Sequence, residues 1–89
     1  MAYEFRFLPD AEKQLRALDK PILKRILKKL AWIAKQENPL RYAVVLHNAK
    51  IGDIRFRIGD YRAIAIVDYG KKRIAIIAVG HRREIYGKT

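Results

Sequence analysis

Eight side chains in the second half of the chain have the chemistry to handle a phosphodiester: Arg55, Arg57, Arg62, Arg82, Arg83, Tyr61, Tyr86 and His81. Guanidinium groups grip phosphate oxygens bidentately and stabilise the extra charge of a pentacovalent transition state. Aromatic rings stack on unpaired bases, and imidazole is the side chain best suited to moving protons near neutral pH. RNA brings its own nucleophile, the 2′-hydroxyl. A cleavage site for RNA therefore needs only to align that group, neutralise the phosphate and manage proton transfer.

The run Arg55-Phe56-Arg57-Ile58-Gly59-Asp60-Tyr61-Arg62 places three guanidinium groups within eight residues, on two apolar stretches that meet at Gly59-Asp60. Side chains alternate faces along a strand, so Arg55 and Arg57 share one face while Ile54, Phe56 and Ile58 share the other. Arg62 stands in line with Ile64 and Ile66 on a strand that is otherwise almost wholly aliphatic, where a charge is costly to bury without a partner. The plainer reading of Arg55 and Arg57 is a strand edge defended by charge. The segment Val79-Gly80-His81-Arg82-Arg83-Glu84-Ile85-Tyr86 adds two arginines, an imidazole and a ring. Its plainer reading has Ile85 and Tyr86 capping the core while Glu84 pairs with a neighbouring arginine. His47 reads as a loop residue.

Other chemistries lack their residues. There is no cysteine, hence no disulfide, thiolate nucleophile or cysteine-based zinc site. Two widely separated histidines argue against a metal centre, and no cofactor is expected. No glycine-rich phosphate loop precedes a helix, no carboxylate pair marks a cleft, and the sole hydroxyl residue of the Ser/Thr type is Thr89. No apolar run approaches the roughly 20 residues of a membrane span, and no signal-peptide core is present, so a soluble, cytoplasmic protein is expected.

Eighty-nine residues imply one domain, 1–89, and a shallow surface site in place of a deep cleft. Twenty Lys and Arg against nine acids give a net charge of +11, spread over both halves of the chain. Such a field draws polyanions, nucleic acid or an acidic protein, to the surface.

Alternating aromatic and charged residues predict a strand over 3–7. Asp10 is placed to cap a helix reaching about residue 18, and Asp19-Lys20-Pro21 starts a second helix whose inner stripe is Ile22, Ile26, Leu30 and Ile33. Its other face carries Lys24, Arg25, Lys28, Lys29 and Lys35, a solvated surface or else an auxiliary track for a polyanion backbone. Trp32, beside the stripe, is expected at the core or its margin. Strands are predicted over 41–46, 54–58, 61–67 and 73–79, with a turn at Asp68-Tyr69-Gly70-Lys71 and a polar tail over 80–89. The expected fold is α+β, with two N-terminal helices packed on one face of a small, mostly antiparallel sheet of four to five strands.

In this order, with "RFRIGDYR" followed by an aliphatic strand and "VGHRREIY" at the end, the chain resembles the RelE/ParE superfamily of type II toxins, and its RelE branch in particular. The resemblance covers nearly the whole chain. It implies a metal-independent mRNA endonuclease acting in the ribosomal A site and held inactive by an acidic, RelB-like antitoxin. By position it implies RNA-backbone binding by Arg55 and Arg57, phosphate stabilisation by Arg62 and Arg82, and stacking or proton transfer by Tyr86, with Arg83 a further RNA-binding candidate and His81 a further catalytic one. Lysines stand at the first two positions in the best-known members, tyrosine is common where this chain has Ile54, and Lys-Gly where it has His47-Asn48. Two other functions fit the superfamily: a ParE-like inhibitor of DNA gyrase, and a catalytically weak relative that only binds an antitoxin.

Overall fold

The computed structural model describes residues 3–48 and 50–85. Its elements run β1 (Glu4–Phe7), α1 (Pro9–Arg16), α2 (Lys20–Ala34), a 3-10 turn (Pro39–Tyr42), β2 (Ala43–Val45), β3 (Ile54–Ile58), β4 (Tyr61–Asp68) and β5 (Arg73–His81). The five strands form one sheet in the order β1-β5-β4-β3-β2, with β1 parallel to β5 and every other pair antiparallel. This is the α+β architecture the sequence predicts.

Both helices lie on one face of the sheet. Ala11 and Leu15 of α1 and Ile26, Leu30 and Ile33 of α2 are buried against Ile54, Phe56, Ile58, Ala63, Ala65, Val67, Ile74, Ile76 and Val79. Phe56 is fully buried, with the Phe5 ring 5.8 Å away. Burial of a side chain of this size contributes about 1.5–3 kcal/mol, so the alternation in β3 that hides Ile54, Phe56 and Ile58 also fixes Arg55 and Arg57 on the opposite face.

Several boundaries differ from expectation. α1 begins at Pro9, whose fixed φ suits a first helical position, and Leu8 occupies the cap without a side-chain bond. Asp10 therefore does not cap; it sits in the first turn, where its charge complements the helix dipole. Only residues 43–45 of the strand expected at 41–46 pair with β3, because Pro39–Tyr42 closes a 3-10 turn first. Most importantly, β5 runs on through Gly80 and His81, so the supposed tail opens as a strand paired with Arg62 and Tyr61. A bulge in β5 after Ile76, where Ala65 pairs with Ile76 and Ile64 with Ala78, makes that extension possible.

The face opposite the helices is not bare. Gly52, in the loop between β2 and β3, lies across it at φ +154°, so close that a Cβ would come within 2.6 Å of Ile64 Cγ2. Asp53 locks the same loop: its N–H donates to Ala65 O and its Oδ2 accepts from Val67 N–H. Ile64 is thereby buried although it points away from the main core. Among the described residues, no helix is long and apolar enough to cross a membrane.

Candidate phosphate-binding site

The turn between β3 and β4 organises the arginines. Ile58 pairs with Tyr61, leaving Gly59-Asp60 as a two-residue loop, and Gly59 alone of the two has positive φ, at 60°. That is the requirement of a II′ turn, which suits the twist of the flanking strands. Arg62 folds back over it: Nη1 donates to Gly59 O and to Tyr61 O, each at 2.9 Å. Two carbonyls thus fix the guanidinium through one nitrogen, leaving Nε and Nη2 for an anion.

Arg57 stands directly across from Arg62, and Gly80 stands across from Arg62 on the other side. A Cβ at Gly80 would lie 3.1 Å from Ile85 Cδ1, so the C-terminal turn seats Ile85 where a side chain would otherwise project. The row across the sheet is therefore Arg57, Arg62 and the Ile85 cap. Among the described residues, no carboxylate lies within ion-pair distance of Arg57 or Arg62. Arg55, opposite Ile64, is half-buried and already engaged.

Arg82 arrives at the same turn from β5. Its N–H donates to Asp60 O at 2.8 Å, and its Nε lies 3.6 Å from Asp60 Oδ1. Both side chains are at least half exposed, so this pair contributes at most about 1 kcal/mol and gives way easily to a phosphate. His81 pairs with Tyr61, their rings in edge contact at 5.4 Å, and its Nδ1 accepts from Arg83 N–H at 3.1 Å. In the neutral ring the proton is then on Nε2, which is the nitrogen left for chemistry. Beside this pair, Gln14, Leu18, Val79 and Ile85 help line a groove of about 520 Å³ where β5 runs past β1 and Val79 N–H donates to Gln14 Oε1.

The structure brings Arg57, Arg62 and Arg82 around one turn, with Arg83 one residue beyond, whereas His81, in register with Tyr61, projects from the helix-side face at the same end of the sheet. Tyr86 lies outside the described residues. Glu84, expected to pair with an arginine, makes no ion pair among the described residues; Asp60 takes that role. His47 is an exposed loop residue. Asp60 and Gly80 escaped sequence reasoning: Asp60 looked like turn chemistry alone, and Gly80 like the start of a tail. Among the described residues, no three His, Cys, Asp or Glu side chains gather as metal ligands.

Residues 5–86 match the family model described as ParE toxin of the type II toxin-antitoxin system, parDE. The chain belongs to the RelE/ParE superfamily of type II toxins. Among solved structures, the toxin is similar to a RelBE toxin-antitoxin complex from Mycobacterium tuberculosis, with 26% identity and TM-score 0.79 over 92% of this chain and 100% of that one. It is similar also to the archaeal RelE-RelB complex of Pyrococcus horikoshii, with 26% identity and TM-score 0.70 over the full length of both. A doubly arginine-to-alanine substituted E. coli RelE in the free state shares 26% identity and TM-score 0.68, over 97% of this toxin and 92% of that chain. No curated protein sequence matches the toxin.

Proposed function

We propose that this toxin is a ribosome-dependent endoribonuclease that cleaves mRNA in the A site without a metal ion. The 2′-hydroxyl attacks the adjacent phosphorus, the 5′-oxygen departs and takes up a proton, and a 2′,3′-cyclic phosphate remains. The observation that carries this reading is the pair Arg57 and Arg62, which has no carboxylate partner among the described residues, with Arg82 tethered to the same turn. Two cations facing one another across a sheet repel by up to about 1 kcal/mol, an arrangement relieved when an anion lies between them. Arg62, held by main-chain carbonyls, is preorganised for charge that develops on the phosphate. Arg57, Arg55 and Arg83 bind the backbone. Arg82 exchanges Asp60 for a phosphate oxygen, and His81 Nε2 or Tyr86 handles the proton.

The RelE relatives crystallise with RelB, and by the same reading an antitoxin holds this toxin inactive. A +11 chain fits an acidic partner whose charge covers the arginine row.

Programmed ribosomes incubated with the purified toxin, with mRNA breaks mapped by primer extension, test the proposal. Wild-type protein gives breaks at A-site codons, and Arg62→Ala lowers the single-turnover rate by about two to three orders of magnitude. A second reading, inhibition of DNA gyrase, is kept open by the match to the ParE model. A parallel supercoiling assay separates the two: inhibition of gyrase with intact mRNA would replace the nuclease reading.

A further inference from the structure

A second cationic surface lies on the helical side of the molecule, turned away from Arg57 and Arg62. α2 carries Lys20, Lys24, Arg25, Lys28 and Lys29 and not one acidic residue. Lys24 with Lys28, and Arg25 with Lys29, are like charges one helical turn apart, each pair disfavouring the helix by a few tenths of a kcal/mol. Fold stability does not explain that choice. Nor does it explain Trp32, expected at the core margin but 45% exposed. The indole meets the ring of Tyr42, itself 42% exposed, edge-on at 5.1 Å. Lys29 Nζ stands 4.8 Å from the indole centroid, and Arg25, Lys28, Lys29 and Trp32 line a shallow groove of about 360 Å³.

We propose that this surface is a second RNA-binding site, in which Arg25, Lys28 and Lys29 meet phosphates and an unpaired base stacks against Trp32 and Tyr42. An acid-free helix face is complementary to a polyanion, and exposed aromatic rings among cations are what bases, and not carboxylates, use. The site lies across the sheet from the arginine row in a molecule whose shortest dimension is 22 Å, so one short strand does not fill both. Its occupant is a folded RNA that contacts both sides of the protein. Binding here involves no bond breaking and does not rest on the nuclease reading.

The chain has a single tryptophan, so its fluorescence reports on this site alone. The experiment titrates the full chain carrying Arg57→Ala and Arg62→Ala, to silence the opposite face, with a short 2′-O-methyl oligoribonucleotide that offers no 2′-hydroxyl for cleavage. The expected result is saturable quenching that weakens with salt, together with tight binding by fluorescence anisotropy of labelled RNA. Adding Trp32→Ala loosens that binding by about tenfold or more, the scale of one base-aromatic stack, while circular dichroism is unchanged. An abasic oligonucleotide of equal charge quenches less. Unchanged affinity after Trp32→Ala, or quenching by polyglutamate as strong as by RNA, overturns the proposal, the latter in favour of an acidic protein partner.

Discussion

Arg57 and Arg62 face each other in register on adjacent antiparallel strands, and among the described residues neither has a carboxylate partner. The fold tolerates this repulsion because neighbouring positions Phe56 and Ala63 are buried in the core and fix the register. Arg57→Thr removes the repulsion and installs a good strand former. The melting temperature should rise by a few degrees while RNA binding weakens and loses part of its salt dependence. A variant that is less stable than wild type would show that the pair is not under electrostatic strain.

Arg62→Lys should not rescue Arg62→Ala. The guanidinium uses one nitrogen on Gly59 O and Tyr61 O and keeps others for the proposed phosphate, whereas an ammonium engaged with both carbonyls has no second nitrogen to offer. Single-turnover cleavage by the lysine variant is expected within about tenfold of the alanine variant. Recovery to the wild-type rate would mean that Arg62 acts as a point charge.

On the proposed reading, Asp60 is a competitor of RNA for Arg82. Because their ion pair is exposed and 3.6 Å long, Asp60→Asn should change unfolding free energy by less than about 1 kcal/mol. Equilibrium binding of uncleavable RNA at low salt should tighten by a few-fold, and the gain should fade as salt rises. Weaker binding would assign Asp60 a positive role in the site.

Gly52 tolerates no side chain. Its φ of +154° and the 2.6 Å approach of Ile64 Cγ2 imply that Gly52→Ala costs about 2–3 kcal/mol through strain and overpacking. Chemical denaturation should show this as a lower midpoint, whereas Gly59→Ala, at a site with open space and φ +60°, is penalised by its backbone alone. Equal losses at the two glycines would argue that contact with Ile64 is unimportant.

The placement of the candidate arginines was legible because strand periodicity is strict: burying Phe56 fixes Arg55 and Arg57 on one side, and the apolar run 61–67 fixes Arg62. Glycines were harder to read. Gly80 gave the appearance of a tail, yet it continues β5 because the bulge after Ile76 keeps it in register with Arg62. Gly52 gave no hint that its loop crosses the open face, since that depends on shape complementarity with Ile64 and not on composition. Trp32 misled for a different reason: one position from the buried Ile33, it turns about 100° away, and the 3-10 turn brings Tyr42 to meet it outside the core. The parallel pairing of β1 with β5 left no local trace at all, being a contact between segments far apart in sequence.

That pairing orders events in time. Residues 4–7 have no strand partner until residues 73–76 exist, and Arg62 has no neighbour on that side until Gly80 follows. A nascent polypeptide that has not yet released residues 73–81 therefore holds neither a closed sheet nor a finished arginine row. Whatever anion the completed row takes, it takes only after the sheet has closed.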